Sequence, residues 1–278
     1  MHESRFGHRI LYIPAFLGFL IVGSALARAE APALTCQQIA QGVRSLDLLQ
    51  GKEVSVEPGG RVTFREAFRE CDKRDSFNGQ SLPSGRKCST DKNRVDRLLV
   101  LPDKTLIVTA KAGVDADGSP LARSPNRPRS SQKETSLLNG RSLDAEATPF
   151  IVMPGALEGP HLNARTNVAQ GDLAIVIKGD HCSFAIVGDT GPYFRFGEIS
   201  MAAHEDLGSN QCRENRKPCP GLRGRYGEGI STPSGVTYVI FPNSKPEGLT
   251  AQNARQMAAL HGQVRVQKFL ADNATPSQ

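Results

Sequence analysis

Short apolar runs separated by turn residues dominate the chain between Leu98 and Phe241. Two of these runs flank a Pro-Asp-Lys turn and predict a β-hairpin over residues 98–109. The other runs have the length of buried strands and lie at Phe150–Met153, Leu173–Ile177, Cys182–Val187 and Val236–Phe241. The pattern predicts a mainly β (α+β) fold, in which a compact barrel-like or sandwich core is surrounded by peripheral helices.

The region before this core combines one helix with irregular structure. Apolar residues recur at helical spacing within Leu34–Leu49, and Thr35 is a suitable N-cap. Alternating residues predict short strands at Glu53–Glu57 and Arg61–Phe64. The polar, cysteine-containing stretch Arg69–Asn93 predicts a stapled loop.

Two more helices are predicted towards the C-terminus. Met201–Leu207 has the pattern of a short helix, and Gly208 is well placed to end it. Thr250 is a suitable N-cap for a helix that reaches about Leu260. The segment Val264–Leu270 either continues this helix or forms an edge strand.

The first residues have the pattern of a secretory signal peptide. Basic residues precede an apolar run from Ile10 to Val22, and Ala27-Arg28-Ala29 forms a small-x-small cleavage site. The run is shorter than the ~20 residues that a membrane-spanning helix needs. We therefore expect residues 1–29 to be removed and the mature protein to be secreted, extracellular or periplasmic, without a membrane partner.

Six cysteines follow the predicted cleavage site, and an even number in an exported chain favours disulfides. Cys212 and Cys219 bracket a short loop that one disulfide would close. No Cys/His cluster has zinc spacing. Asp115 and Asp117 precede a glycine as in a calcium loop, but the later calcium ligands are missing. We therefore expect neither a metal nor a cofactor.

The formal net charge is +6, and removal of residues 1–29, with three arginines and one glutamate, leaves +4. Basic surfaces attract nucleic acids and other anionic polymers. The arginine clusters at 123–129 and 213–225, however, lie in polar loops without regularly interleaved aromatic residues. Such clusters are typical of solvated loops, so nucleic acid is not an expected partner.

One stretch, Ile186–Ser200, combines two acids with glycines and aromatic residues. Asp189 follows Gly188 at the end of an apolar run, and Glu198 follows Gly197. Glycine has no Cβ, so backbone or ligand can approach each carboxylate closely. Two carboxylates in unequal environments are what acid/base hydrolysis requires. Acids beside glycines are also common turn residues, and the spacing alone leaves both interpretations open.

Several blocks of the chain resemble glycoside hydrolase family 75, a family of secreted chitosanases. They cover roughly residues 105–245, about half of the chain, in the family's order: VDADG, LDAEATPFIVMP, LAIVIKGD, FAIVGDTGP, FGEIS and GVTYVIFP. The GDTGP and GEIS parts are the most specific.

The resemblance implies that Asp189 and Glu198 are the catalytic pair of an inverting enzyme. We assign Glu198 as the general acid and Asp189 as the base that activates water, with the two carboxyl groups ~6.5–9.5 Å apart. Asp115 and Asp117 are expected to line an acidic cleft for protonated amines, although solvated turn acids are an equal alternative. Tyr193 is expected to contact the substrate.

The signal-peptide pattern and the extent of the resemblance together predict three parts of the chain. Residues 1–29 are the signal peptide, 30–97 an N-terminal extension with a helix and a Cys-stapled loop, and 98–278 the catalytic domain. By analogy with GD-x-GP turns, the core is a six-stranded double-psi type barrel.

The expected function is a monomeric, endo-acting chitosanase that cleaves β-1,4-glucosamine linkages, with chitosan as its partner. One alternative is a non-catalytic secreted protein that binds polysaccharides. The other is a hydrolase of bacterial cell-wall glycan, which the basic charge would help to attract.

Overall fold

The computed structural model describes residues 32–156, 159–224, 229–230 and 235–274. The predicted signal peptide, residues 1–29, lies outside the described residues. The described residues from Ala33 onwards form one compact unit. None of the described helices has both the length and the apolar character needed to cross a membrane.

Six α-helices and eleven strands are found in the described ranges. The helices are α1 (Cys36–Arg44), α2 (Phe64–Arg74), α3 (Pro120–Arg123), α4 (Leu162–Thr166), α5 (Met201–Asp206) and α6 (Ala254–Asp272). The strands are β1 (Lys52–Glu53), β2 (Ser76–Phe77), β3 (Gln80–Ser81), β4 (Arg97–Val100), β5 (Leu106–Ala110), β6 (Gly113–Asp115), β7 (Phe150–Ala156), β8 (Leu173–Lys178), β9 (His181–Pro192), β10 (Glu198–Ser200) and β11 (Val236–Phe241).

Nine of the described strands form one mixed sheet, in the order β1-β4-β5-β11-β8-β9-β7-β10-β6. Only Lys111 and Ala112 separate β5 from β6, yet five other strands lie between them in the sheet. The sheet therefore curls until its far edge returns towards β5, and β5 and β6 act as one bent strand. The predicted barrel-like β core with peripheral helices is confirmed, while the double-psi connectivity stays a prediction.

Both faces of the sheet are buried. Alternate residues of β11 point to opposite faces, so Tyr238 and Ile240 join one core cluster with Phe68 of α2. Phe241 joins a second cluster with Val266 of α6. Each such side chain, fully buried, stabilises the fold by about 1.5–3 kcal/mol. Burial on both faces explains why the strands are continuous apolar runs in the sequence.

Helix α1 begins as predicted, with a capping box in which Thr35 accepts a hydrogen bond from the backbone N–H of Gln38. It ends at Arg44 and not at Leu49, because the side chain of Asp47 caps a separate 3-10 turn. The expected disulfides are confirmed as Cys36–Cys182, Cys71–Cys88 and Cys212–Cys219. The first of them ties α1 to β9.

Helix α2 occupies sequence that was predicted as the end of a strand and the start of a loop. Thr63 and Glu66 form a capping box at its N-terminus. The buried residues Phe64, Ala67, Phe68 and Cys71 have helical spacing. The prediction missed this helix because the charged residues between them lower the mean hydropathy of the segment.

The two C-terminal helix predictions are confirmed with adjusted ends. Helix α5 ends before Gly208, which has a φ of 69°. Helix α6 runs without interruption to Asp272, so Val264–Leu270 continues the helix and is not an edge strand. Its N-cap is Asn253, because Thr250 lies in the preceding turn.

His204 of α5 anchors strand β6. Its ring is fully buried, and Nε2 lies 3.0 Å from the carbonyl oxygen of Gly113. A carbonyl only accepts, so Nε2 carries the proton, and the buried Nδ1 has no partner among the described residues. Burial lowers the pKa of His204 from its ordinary value to about 4. The native fold therefore contains the neutral ring.

We expect the protein to lose stability as the pH falls from about 6.5 to about 4, because the unfolded His204 binds a proton there and the folded one does not. His204→Gln keeps an N–H donor for Gly113 but does not titrate. Urea unfolding at several pH values should show a shallower loss of unfolding free energy for this variant. Parallel curves for wild type and variant, which share every other titrating group, would contradict the role of His204.

Candidate active site

Strand pairing places the two predicted catalytic acids in one row across the sheet. Val152 of β7 pairs with Asp189 of β9 on one side and with Glu198 of β10 on the other. Glu198 in turn pairs with Gly113 of β6. Paired residues project from the same face, and neighbouring strands lie ~4.8 Å apart, so the two acids have Cα atoms roughly 10 Å apart. Asp115, two residues beyond Gly113, shares their face.

Asp189 lies inside β9, which continues through the Gly-Asp-Thr-Gly-Pro motif. The strand does not turn at Gly191 and Pro192, since both residues pair with β7. The Oδ1 atom of Asp189 accepts hydrogen bonds from the backbone N–H of Ser136 (2.8 Å), its hydroxyl (2.5 Å) and the N–H of Thr190 (2.7 Å). Three donors on one oxygen hold the carboxylate rigidly.

Glu198 begins β10 directly after a glycine that the fold requires. Gly197 has a φ of 87°, and a Cβ there would lie 2.5 Å from the carbonyl oxygen of Lys111. Burial raises the pKa of the Glu198 carboxyl, and the nearby Lys111 cation opposes this effect. Asp189 and Glu198 therefore differ in environment as acid/base chemistry requires.

Asp115 and Asp117 complete an acidic cluster beside Asp189. Asp115 accepts a hydrogen bond from the backbone N–H of Asp117 (2.7 Å), and Asp117 accepts one from the N–H of Gln132 (2.6 Å). Burial, followed by the charge of Asp117, raises the pKa of Asp115 well above its ordinary value. Burial and the neighbouring carboxylates raise the pKa of Asp117 to about 7.

The cluster has the geometry to hold a cation. One oxygen from each of Asp115, Asp117 and Asp189 lies within 4.8 Å of the others. Such a set would accept a hard metal ion or a protonated amine, because either would offset the repulsion among the carboxylates.

Tyr193 is placed differently from the four acids. Its ring packs edge-on against Phe77, with 5.4 Å between ring centroids, and against Phe194 at 5.2 Å. It is not among the residues that line the cleft described next. The structure thus brings Asp115, Asp117, Asp189 and Glu198 together, but not Tyr193.

The acids open into a cleft of about 900 Å³ lined by parts of segments 89–94, 111–117, 128–132 and 189–198. Asp117 and Asp189 contact the wall that contains Gln132 and Ser136. Segment 89–94 forms the basic wall of the cleft, with Lys92 and Arg94. Among the described residues, the cations that line the cleft are Lys92, Arg94, Lys111 and Arg195.

A smaller cavity of about 320 Å³ lies between α5 and the Cys212–Cys219 loop. Its buried acid, Glu146, accepts hydrogen bonds from the backbone N–H groups of Leu121 and Cys219. This carboxylate fastens a loop, so the large cleft is the better candidate for a functional site.

Sequence reasoning missed Ser136 and Lys111 as parts of the site. Ser136 comes from an irregular, Ser/Pro/Arg-rich loop and is 53 residues away from Asp189 in sequence. Lys111 follows a buried strand and carries no motif. Its one local signal is an isolated lysine between Ala110 and Ala112 in an otherwise apolar segment.

A scan against protein-family models finds no match, and a search of curated proteins finds none either. Any proposal about function must therefore rest on the chemistry of the residues in the cleft.

We expect Asp117→Asn to stabilise the fold above pH 7. The folded pKa of Asp117, about 7, exceeds its ordinary value, so this group favours folding at low pH and loses that contribution as pH rises from about 3.8 to about 7. The asparagine keeps an acceptor for Gln132 and removes the charge. Thermal unfolding should show a higher Tm than wild type at pH 8 and a smaller difference at pH 4. An equal or lower Tm at pH 8 would rule out charge repulsion in the cluster.

Proposed function

We propose that the protein is a secreted, endo-acting chitosanase that cleaves β-1,4-linked glucosamine chains by an inverting two-carboxylate mechanism. The observation that carries the proposal is the row in which Asp189 and Glu198 face one cleft with β7 between them. Two strand spacings leave room for a sugar ring and a water molecule between the acids, as inverting hydrolases require. The resemblance to glycoside hydrolase family 75 points to the same pair.

In this mechanism Glu198 is the general acid. Burial raises the pKa of its carboxyl and so favours the protonated form, which gives its proton to the leaving glycosidic oxygen. Asp189 is the general base. Its carboxylate, held by hydrogen bonds from Ser136, takes a proton from the water that attacks the anomeric carbon from the opposite face.

The remaining acids provide recognition of the substrate's amines. A protonated glucosamine amine near Asp115 and Asp117 would offset the repulsion between their carboxylates. Binding would lower the pKa of both carboxyls and release protons when the free acids are protonated. This charge pairing explains how a protein of net positive charge can bind a polycation, because local charge in the cleft decides.

Three disulfides support secretion, since such bonds persist in oxidising compartments. Segment 89–94, which belongs to the proposed N-terminal extension, also lines the cleft. We therefore propose that the extension takes part in substrate binding.

The basic wall of the cleft favours one second candidate, a hydrolase of bacterial cell-wall glycan. Lys92 and Arg94 are exposed on that wall. They would attract the carboxylates of such a polymer, which chitosan lacks. Acidic and basic walls together would suit a glycan that carries both charges.

The first experiment measures reducing-end release from soluble chitosan at mildly acidic pH. We expect Asp189→Asn and Glu198→Gln each to lower kcat by ~10² or more, because each removes one proton-transfer group. Asp180→Asn and Glu53→Gln are matched controls in exposed or half-buried ion pairs elsewhere, and their rates should equal that of wild type.

Proton NMR of the first products should show the α-anomer, the inverted product. Retained activity in either acid variant would refute the catalytic pair. Wild-type protein that binds chitosan without cutting it would favour the binding-protein alternative. Protein inert on chitosan but active on purified cell-wall glycan would favour the second candidate.

A further inference from the structure

Lys111 is a buried cation at the base of the cleft. Its side chain is only 5% exposed, and Nζ donates a hydrogen bond to Oδ1 of Asp91 at 2.6 Å. The backbone of Lys111 is fixed as well, because its carbonyl accepts from the hydroxyl of Tyr238 and its N–H donates to the carbonyl of Asn93. Burying a charged lysine costs free energy unless the charge is paired. The position of Lys111 therefore indicates a specific role.

Asp91 is the exposed partner in this arrangement. It lies in segment 89–94 with its side chain 54% exposed, and its other oxygen accepts from Arg195 at 2.8 Å. Arg195 also donates to the backbone carbonyls of Lys87 and Asp91. One carboxylate thus bridges two cations, and these three residues lie next to Glu198.

The contact with Glu198 is close. A Cβ at Gly113 would lie 3.3 Å from Cγ of Glu198 and 3.6 Å from Nζ of Lys111. The glycine therefore leaves both side chains in the same small space. Lys111 and Glu198 are therefore neighbours. The contacts described for them include no direct hydrogen bond between the two side chains.

We propose that the Lys111–Asp91 ion pair is a positioning element for Glu198, which fixes the pH range over which this acid keeps its proton. The inference rests on the proposed function and deepens it. The alternative is a purely structural role, in which the pair fastens segment 89–94 to the sheet.

The two members of the pair act on Glu198 with opposite sign. The Lys111 cation favours the ionised carboxylate and lowers the pKa of Glu198, whereas the Asp91 anion raises it. Other charged or titratable groups also face Glu198. They are Asp189 of β9, Arg195 of the β9–β10 link, Asp115 and Asp117 at the end of β6, and Tyr238 of β11. They remain in every variant below and are common to each comparison.

The test is the pH dependence of kcat on a soluble glucosamine hexamer. A general acid is active while protonated, so activity falls on the alkaline side as Glu198 ionises. We expect this alkaline limb to move to higher pH in Lys111→Met and to lower pH in Asp91→Asn. Lys111→Arg, which keeps the cation, should restore the wild-type limb. Lys217→Met is the matched control in an exposed ion pair, and its limb should not move.

A second readout does not depend on hydrolysis. The ¹³C-carboxyl resonance of Glu198, assigned by its loss in Glu198→Gln, can be titrated in the substrate-free protein. Opposite shifts of its pKa in Lys111→Met and Asp91→Asn support the inference even if chitosan is not cut, which would refute only the proposed function. Unchanged titration, or shifts of equal sign, in folded variants overturns the inference even if chitosan is cut. Asp91→Asn alters an exposed residue, so the test remains decisive if Lys111→Met does not fold.

Discussion

The pairing of β6, β10, β7 and β9 side by side is the constraint on which the site depends. It places Glu198 and Asp189 on either side of Val152, and it brings Asp115 to the same face from β6. Hydrogen bonding between strands fixes these positions to within a fraction of an ångström, which loops would not do. The result is electrostatically unfavourable, since carboxylates share one partly buried cleft. Arrangements of this kind lower the stability of the fold at functional sites, where the same charges are needed for binding or chemistry.

The basic wall of the cleft, segment 89–94, depends on a buried polar network. Asp72 of α2 accepts hydrogen bonds from the backbone and side-chain amides of Asn93 and from the N–H of Arg94. The Asn93 side chain also donates to the carbonyl of Phe194 and accepts from the N–H of Phe196. A fully satisfied network of this kind is rigid. The network joins α2 and segment 89–94 to the link between β9 and β10. The basic wall is therefore held in a fixed position relative to Glu198.

The strands and the two acids of the row could be predicted from sequence, because both depend on local signals. Apolar runs mark strands that are buried on both faces. Asp189 follows such a run, with Gly188 before it inside β9, and Glu198 follows Gly197 at the start of β10. The partners of these acids depend on long-range contacts. Ser136 reaches Asp189 from an irregular loop, and Lys111 meets Asp91 because the antiparallel pairing of β4 with β5 brings the segment before β4 alongside the end of β5. Tyr193 was placed in the site by its position in the motif, but the aromatic cluster around Phe77 determines where its ring lies.

When the pH falls, His204 and the acidic cluster change the stability of the fold in opposite directions. Both involve strand β6. The buried neutral His204 holds the carbonyl of Gly113 from one side, while Asp115 extends from the same strand into the cleft. Lowering the pH protonates the unfolded His204 first and so weakens the fold, with a folded pKa of about 4. The same change relieves repulsion around Asp117, whose folded pKa is about 7, and so strengthens it. Between these values the two slopes oppose each other. The fold can therefore tolerate a cluster of carboxylates over the mildly acidic range in which the amines of the proposed substrate are charged.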